Sequence, residues 1–435
     1  MKPYERTAIG IAASLERDLL AQDSETRSLP PVRQLAGSLR VSPATVAAAY
    51  KLLRSRGLVN GQGRQGTRVV ARQTAPLWKA SSGVPAGVRD LSTGDPDPAL
   101  LPSLESTLRS VSFEPAQNGS GVDWADFVVL AASEFEADGI PASAVAVTNG
   151  GSDAIERILR EHLRHGDVVA IEDPSFPGLV DLLTVAGYRT VPLALDDEGP
   201  LPDAADAALA RGCQAVIVTP RAQNPTGAAL SAQRAADLRG VLARHSQVLL
   251  IENDHAALVA GVPLHSIRNP SHERWAVVRS LSASLGPDLR LAVVAGDEVT
   301  IARVRRRQAL GARWVSHILQ QLAFALWSDP VSGRRIARVG EIYAERRARL
   351  MASLRDHGIA AQGRSGLNVW IPVRSEDTVA RGLLESGWAV ASGRRFRIQA
   401  GPGVRVTTSA LLPEDAAVFA ADLSRLGGPV RAVLA

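Results

Sequence analysis

The chain has 435 residues, 46% hydrophobic and 21% charged, a balance that excludes a disordered chain and calls for two or three folding units. No apolar run reaches the roughly 20 residues of a membrane span, charges interrupt the first twenty residues where a secretory signal would be apolar, and the lone Cys213 excludes an internal disulfide or a cysteine metal cluster, so a cytoplasmic protein with no metal site is expected. Net charge is +5 but uneven: residues 1–73 hold twelve Lys/Arg against five Asp/Glu and the remainder 37 against 39, which points the basic head at a polyanion.

In the head, Ile9, Ala12, Ala13, Leu15, Leu19 and Leu20 fall at helical spacing. "SLPPVRQLAGSLRVSPATVAAAYKLLRSRGLV" then reads as two short helices. Pro30 and Pro31 suit a first turn, followed by a stripe of Val32, Leu35, Ala36 and Leu39. Ser42 is an N-cap with Pro43 at the first helical position, and Val46, Tyr50 and Leu53 form the next stripe. The short turn at Arg40–Val41 gives helix-turn-helix spacing, with the second helix offered to a major groove. "GLVNGQGRQGTRVV" reads as two short strands around a glycine-rich tip, a wing carrying Arg64 and Arg68. A generic three-helix interaction domain accounts for the helices but not for the wing. "LPPVRQLA", "VSPATVAAAY" and "GLVNGQGRQGT" resemble the winged helix-turn-helix of GntR-type transcription regulators. The resemblance implies a DNA-binding domain over residues 1–72, with Arg33, Ser42, Thr45, Gly63, Arg64, Gly66 and Thr67 facing DNA. Hydroxyls at a helix N-terminus can meet phosphate or base edges, and Arg33 can pair with phosphate. The second helix is itself alanine-rich, with few long polar groups.

Residues 73–90, rich in Ala, Ser, Gly and Pro, read as a linker. From Leu91 strands such as "AVAVTNG", "VVAIEDP", "QAVIVTP" and "QVLLIEND" alternate with amphipathic helices. That is the pattern of an α/β, doubly wound, mostly parallel sheet. The large domain is expected over about 91–300, and a helical connector with a smaller C-terminal α/β subdomain over 301–435.

"DLSTGDPDPALLP", "VTNGGSDAIERIL", "EDPSFPG", "TPRAQNPTG", "IENDHAALV", "SLSASLGPDLRLA" and "PGVRVT", in that order, resemble fold-type I aminotransferases, enzymes of pyridoxal phosphate (PLP). A regulator head on this fold is similar to the MocR subfamily of GntR regulators. Glycines at a strand-to-helix turn let an anion approach the helix N-terminus, and the resemblance assigns the PLP phosphate to Gly150, Gly151 and Ser152, with Ser280, Ser282 and Arg290. It also implies Phe176 stacking on the cofactor ring, Asn224 and His255 at its phenolic oxygen, Asn253 at its pyridine nitrogen, and Arg405 clamping a ligand carboxylate.

Two departures concern chemistry. Ala283 stands where the resemblance puts the imine-forming lysine, and the chain's only lysines are Lys2, Lys51 and Lys79, all before the body. Asn253 stands where an aspartate pairs with the protonated pyridine nitrogen. A methyl group forms no imine and shuttles no proton, and a neutral amide supplies no counter-charge. The expected function is therefore a homodimeric, DNA-binding transcription regulator whose body senses a small ligand, with no catalytic residues and no covalent PLP. Non-covalent PLP or a related phosphorylated ligand fits the remaining donors. The alternatives are a PLP enzyme with an atypical mechanism, and a DNA-binding scaffold with an empty body.

Overall fold

The computed structural model describes residues 6–21, 28–55, 59–60, 67–69, 83–113 and 121–428. The head and the body are described separately.

In the head, α1 (Ala8–Ala21) and α2 (Val32–Leu39) both pack on α3 (Pro43–Ser55). Strands β1 (Val59–Asn60) and β2 (Arg68–Val69) pair antiparallel, with Val59 opposite Val69. Ile11, Ala12, Ala36, Val46, Ala49, Tyr50, Leu53 and Val59 form the core. Ile9, one of the apolar residues at helical spacing, is 68% exposed, and the buried face of α1 turns on Ile11 and Ala12. The two prolines precede α2 rather than forming its first turn. Pro31 is extended (φ −52°, ψ 140°), and its carbonyl accepts the first helical bond, from the Leu35 N–H at 3.0 Å. Arg40 closes α2 in the left-handed region at φ 51°, its N–H donating to the Ala36 and Gly37 carbonyls. Ser42 caps α3 as expected, its Oγ accepting the Thr45 N–H at 3.1 Å.

The body's strands are β3 (Arg89–Leu91), β4 (Val145–Thr148), β5 (Val168–Asp173), β6 (Arg189–Asp196), β7 (Gly199–Pro200) and β8 (Ala215–Val218). They continue with β9 (Leu249–Asp254), β10 (Trp275–Ser280), β11 (Ala292–Gly296), β12 (Asn368–Pro372), β13 (Trp388–Ser392) and β14 (Gly403–Thr407). Eight of them form one sheet in the order β4-β11-β10-β9-β8-β5-β6-β7. The centre, β10-β9-β8-β5, is parallel, and β11 runs antiparallel to both its neighbours. Helices α4 (Leu104–Ser110) and α5 (Ala125–Ala137) precede β4; α6 (Gly151–His162), α7 (Pro177–Val185), α8 (Pro202–Ala210) and α9 (Ala232–Ala243) fill the crossovers. The short α10 (Ser282–Leu285) follows β10. The helical run expected after residue 300 divides at Gly311–Ser316 into α11 (Glu298–Leu310) and α12 (His317–Ser328), followed by the 27-residue α13 (Pro330–Asp356).

The smaller sheet, in the order β12-β14-β13-β3, packs with α13, α14 (Glu376–Glu385) and α15 (Asp415–Arg425) around Leu350, Val369, Trp388, Val404 and Phe419. Its strand β3 corrects the expected boundaries. Arg89 and Asp90, placed in the linker, already pair in parallel with Trp388 and Ala389, and Leu91 belongs to this sheet rather than to the large one. A three-residue strand leaves no periodicity to read; pairing with a strand some 300 residues away creates it.

Candidate functional site

The site is built where the parallel strands end, the usual ligand position in such sheets. After β4 the chain turns at Gly150 (φ 90°), the cap of α6. A Cβ there would lie 3.2 Å from Arg290 Nη2, so glycine lets that guanidinium lie against the helix start. Arg290 is exposed and itself left-handed (φ 49°, ψ 46°), after the 3-10 turn Pro287–Leu289. A Cβ on Gly151 would lie 3.7 Å from Ser280 Cβ and 4.0 Å from Asn253 Oδ1, which puts both side chains beside the first turn of α6. Asp153 steadies the loop by accepting the Asn149 N–H at 3.0 Å while pairing with Arg157 at 2.8 Å. Ser152 is exposed on that turn, and buried Ser280 accepts the Ser282 N–H at 3.3 Å. A helix N-terminus, a guanidinium and a hydroxyl thus converge, a constellation that can hold a dianionic phosphate. Ala283 follows on α10, half-buried and packed against the main core.

A second cluster surrounds Arg405. Its side chain is buried at 4% exposure, donating from Nη1 to Asn224 Oδ1 at 3.1 Å and from Nη2 to the Ser92 carbonyl, while Nε has no protein partner. The guanidinium lies 5.0 Å from the centre of the Phe396 ring. Burial pulls its pKa down to about 10 against the opposing charges of Asp95 and Asp90, so it remains a cation at neutral pH. Gly94 (φ 80°) is the close neighbour that composition did not reveal: a Cβ there would be 2.7 Å from Nη1.

His255 joins the Asn224 loop in an unexpected way. Its Nε2 lies 2.7 Å from the Ala222 carbonyl. A carbonyl only accepts, so Nε2 carries the proton, and burial holds the imidazole below its usual pKa, the Ala222 bond and Asp254 opposing. A neutral ring so engaged has only an acceptor left at Nδ1. The expected donation from His255 to a phenolic oxygen has therefore lost its N–H to the backbone. Phe176 sits at the turn closing β5, its ring over Gly178, where a Cβ would meet it at 2.5 Å. The same turn ties down the small subdomain: the Asp173 carboxylate accepts the Ile398, Gln399 and Ala400 N–H groups at 2.6–2.8 Å, and the Ser175 N–H donates to the Phe396 carbonyl.

Strand alternation separates Asn253 from its neighbour. Asn253 faces α6, whereas Asp254 is fully buried between Arg221 (Nε, 2.8 Å) and Arg279 (Nε, 3.1 Å), which also reach Asp138. Burial alone would raise the Asp254 pKa; the two guanidinium groups outweigh it and hold the carboxylate ionised. Sequence reading missed this network, and the only signal was a second acid, Asp254, two residues after Glu252 in "IENDH".

In the head, Arg33 and Ser42 are exposed and Thr45 is half-buried, its hydroxyl 2.8 Å from that of Ser42. The Thr67 carbonyl accepts the Leu29 N–H at 2.7 Å, fixing the base of the wing. Gly63, Arg64 and Gly66 lie outside the described residues. Among the described residues there is no cluster of His, Cys, Asp and Glu that could hold a metal ion, and no helix long and apolar enough to cross a membrane.

The two units thus define a winged helix-turn-helix joined to an aminotransferase-like body in which a helix N-terminus, a guanidinium and a hydroxyl converge. Residues 124–423 match aminotransferase class I and II, and residues 7–69 match bacterial regulatory proteins of the gntR family. The chain is 40% identical to the vitamin B6 salvage pathway transcriptional repressor PtsJ of Salmonella typhimurium, over 96% of this chain and 98% of that one. It is 24% identical to the pyridoxine biosynthesis transcriptional regulator PdxR of Corynebacterium glutamicum, over 82% and 81% of the two chains. The α-aminoadipate aminotransferase LysN of Thermus thermophilus shares the body's fold, with a TM-score of 0.69 at 21% identity over 78% of this chain and 92% of that one. The chain belongs to the gntR-family regulators that carry an aminotransferase class I and II domain, the MocR arrangement, and it is a transcription regulator.

Proposed function

We propose that this regulator acts in the cytoplasm as a homodimer, binds operator DNA through residues 1–72, and holds PLP or a close phosphorylated relative non-covalently in its body, without transaminating. The observation that carries this reading is the convergence of Gly150, Gly151, Ser280 and Arg290 at the α6 N-terminus, in a body that contains no lysine. The names of two relatives, in vitamin B6 salvage and pyridoxine biosynthesis, support the ligand class.

When bound, PLP supplies an aldehyde and an electron-withdrawing pyridine ring. The residues present fit its non-reacting parts. Backbone N–H groups of α6, the Ser280 and Ser282 hydroxyls and Arg290 hold the phosphate. Asn224, its Oδ1 engaged by Arg405, keeps its amide N–H groups as donors that would serve the ring oxygen, and Phe176 would be the ring's apolar neighbour. Asn253 offers the pyridine nitrogen a neutral amide, and Arg405, with Nε unpartnered, holds a carboxylate. At the reacting carbon the chain presents the Ala283 methyl, which neither forms an imine nor moves a proton.

An absorbance titration with PLP, followed by borohydride reduction and peptide mapping, tests this. Saturable binding without an imine band, and no reduced adduct within residues 91–435, are expected. A reduced adduct in the body, or measurable transaminase turnover, overturns it.

A further inference from the structure

The exposed face of α3 is built for methyl groups rather than for hydrogen bonds. Val46, Ala49, Tyr50 and Leu53 are buried, so the opposite face consists of Pro43, Ala44, Ala47, Ala48, Lys51 and Arg54, all exposed. The last four line a shallow concavity. The polar groups nearest the helix start are already engaged: the Ser42 and Thr45 hydroxyls lie 2.8 Å apart, and Ser42 Oγ takes the Thr45 N–H. Lys51 and Arg54 occupy the C-terminal half, and Arg54 Nε donates to the Tyr50 carbonyl at 3.3 Å.

A helix in the major groove normally meets base edges with its N-terminal residues. Here that half presents three alanine methyls on short stems, which lets the helix backbone come close to the groove floor. An alanine cannot pair with a purine edge, and the one apolar feature on that floor is the thymine C5-methyl. The basic head, with exposed Arg33, Arg40, Lys51 and Arg54, supplies the charge complementarity that holds the helix against phosphates.

The geometry points to thymine methyls as the feature that Ala44, Ala47 and Ala48 read, so that the operator half-site carries thymines under the first two turns of α3. This rests on the DNA-binding reading above and names what that surface recognises. Lys51 and Arg54 then contribute affinity that is blind to sequence.

The test uses the full-length chain and a duplex selected by it from a random pool. Deoxyuridine replaces each thymine in turn, which leaves base pairing intact and removes only the methyl. Each contacted thymine should lose about fourfold in affinity, the equivalent of ~0.8 kcal/mol for one buried carbon. The slope of affinity against salt should not change, because no phosphate contact is touched. Replacing a contacted T·A pair by 5-methyl-C·G should bind more tightly than replacing it by C·G. In an Ala47→Gly, Ala48→Gly variant that keeps its helical circular dichroism, the uracil penalty should shrink. A preferred sequence whose affinity is indifferent to uracil at every position overturns the methyl readout and leaves the regulator reading standing. Failure to recover any preferred sequence overturns both. The uracil series on the unmodified chain decides the matter even if the glycine variant does not fold.

Discussion

The two faces of β9 differ by one residue and by a whole charge network. Asn253 meets the start of α6 with a neutral amide; Asp254, turned the other way, is a fully buried carboxylate clasped by Arg221 and Arg279. The rear face keeps ionised groups that the fold depends on, since removing one partner would strand the others. On the front face Asn253 carries no charge, so changing it strands no ion-pair partner. Stability and ligand chemistry are therefore separable along this strand, and each can be perturbed alone.

The sharpest change on the front is Ala283→Lys with Asn253→Asp. If the site keeps an aminotransferase's shape, PLP should give this double variant a borohydride-reducible imine mapped to position 283, an all-or-none gain. No adduct in a folded, PLP-binding variant would mean that the ring sits elsewhere.

On the rear face, Asp254→Ala leaves two buried guanidinium groups sharing Asp138, so stability should fall by roughly 3–5 kcal/mol. Thermal or urea unfolding measures it. A loss below about 1 kcal/mol would show that water or rearrangement solvates the arginines.

Two further acids behave in the opposite sense to Asp254. Burial pushes Glu172 and Glu252 up to about 7, against the opposing Thr219 and Gln223 bonds to the first and the Ser266 and Ile267 bonds to the second. A raised acid stabilises the fold while it is protonated, fully below the unfolded pKa near 4.5, and loses that contribution as pH rises through about 7. Each should account for roughly 3 kcal/mol across that window. Glu172→Gln and Glu252→Gln should flatten this part of the stability–pH curve. Asp254, held low, acts only at more acid pH, where its protonation removes stability. Unchanged slopes in both glutamine variants would place the titration elsewhere.

At the ligand, Arg290→Ala and Arg405→Ala each remove a charge-assisted contact, about 1.5–3 kcal/mol or a tenfold to hundredfold loss. Isothermal titration with PLP should show the larger effect for Arg290 when the ligand carries phosphate but no carboxylate. Equal, small losses would assign the phosphate to other donors. The smallest expected effect is in the head, where Ser42→Ala removes the α3 cap and should cost about 1 kcal/mol in thermal unfolding. No change in unfolding would mean the cap is replaced by water.

How much of this was legible follows from the range of the forces involved. The helix stripe Val46–Tyr50–Leu53, the Ser42 cap, the glycine turn before α6 and the absence of lysine beyond Lys79 depend on neighbours a few residues apart or on composition, and the sequence alone determined them. The pairing of β3 with β13, the Nε2 proton of His255 committed to Ala222, the Asp254 network and the Gly94–Arg405 contact were decided only by tertiary structure. Arg405 and Ser92, for instance, are 313 residues apart in the chain, so their hydrogen bond leaves no local pattern. Side-chain direction, and with it the proton each group can still offer, exists only once distant strands have set the alternation that turns Asn253 toward α6 and Asp254 away from it.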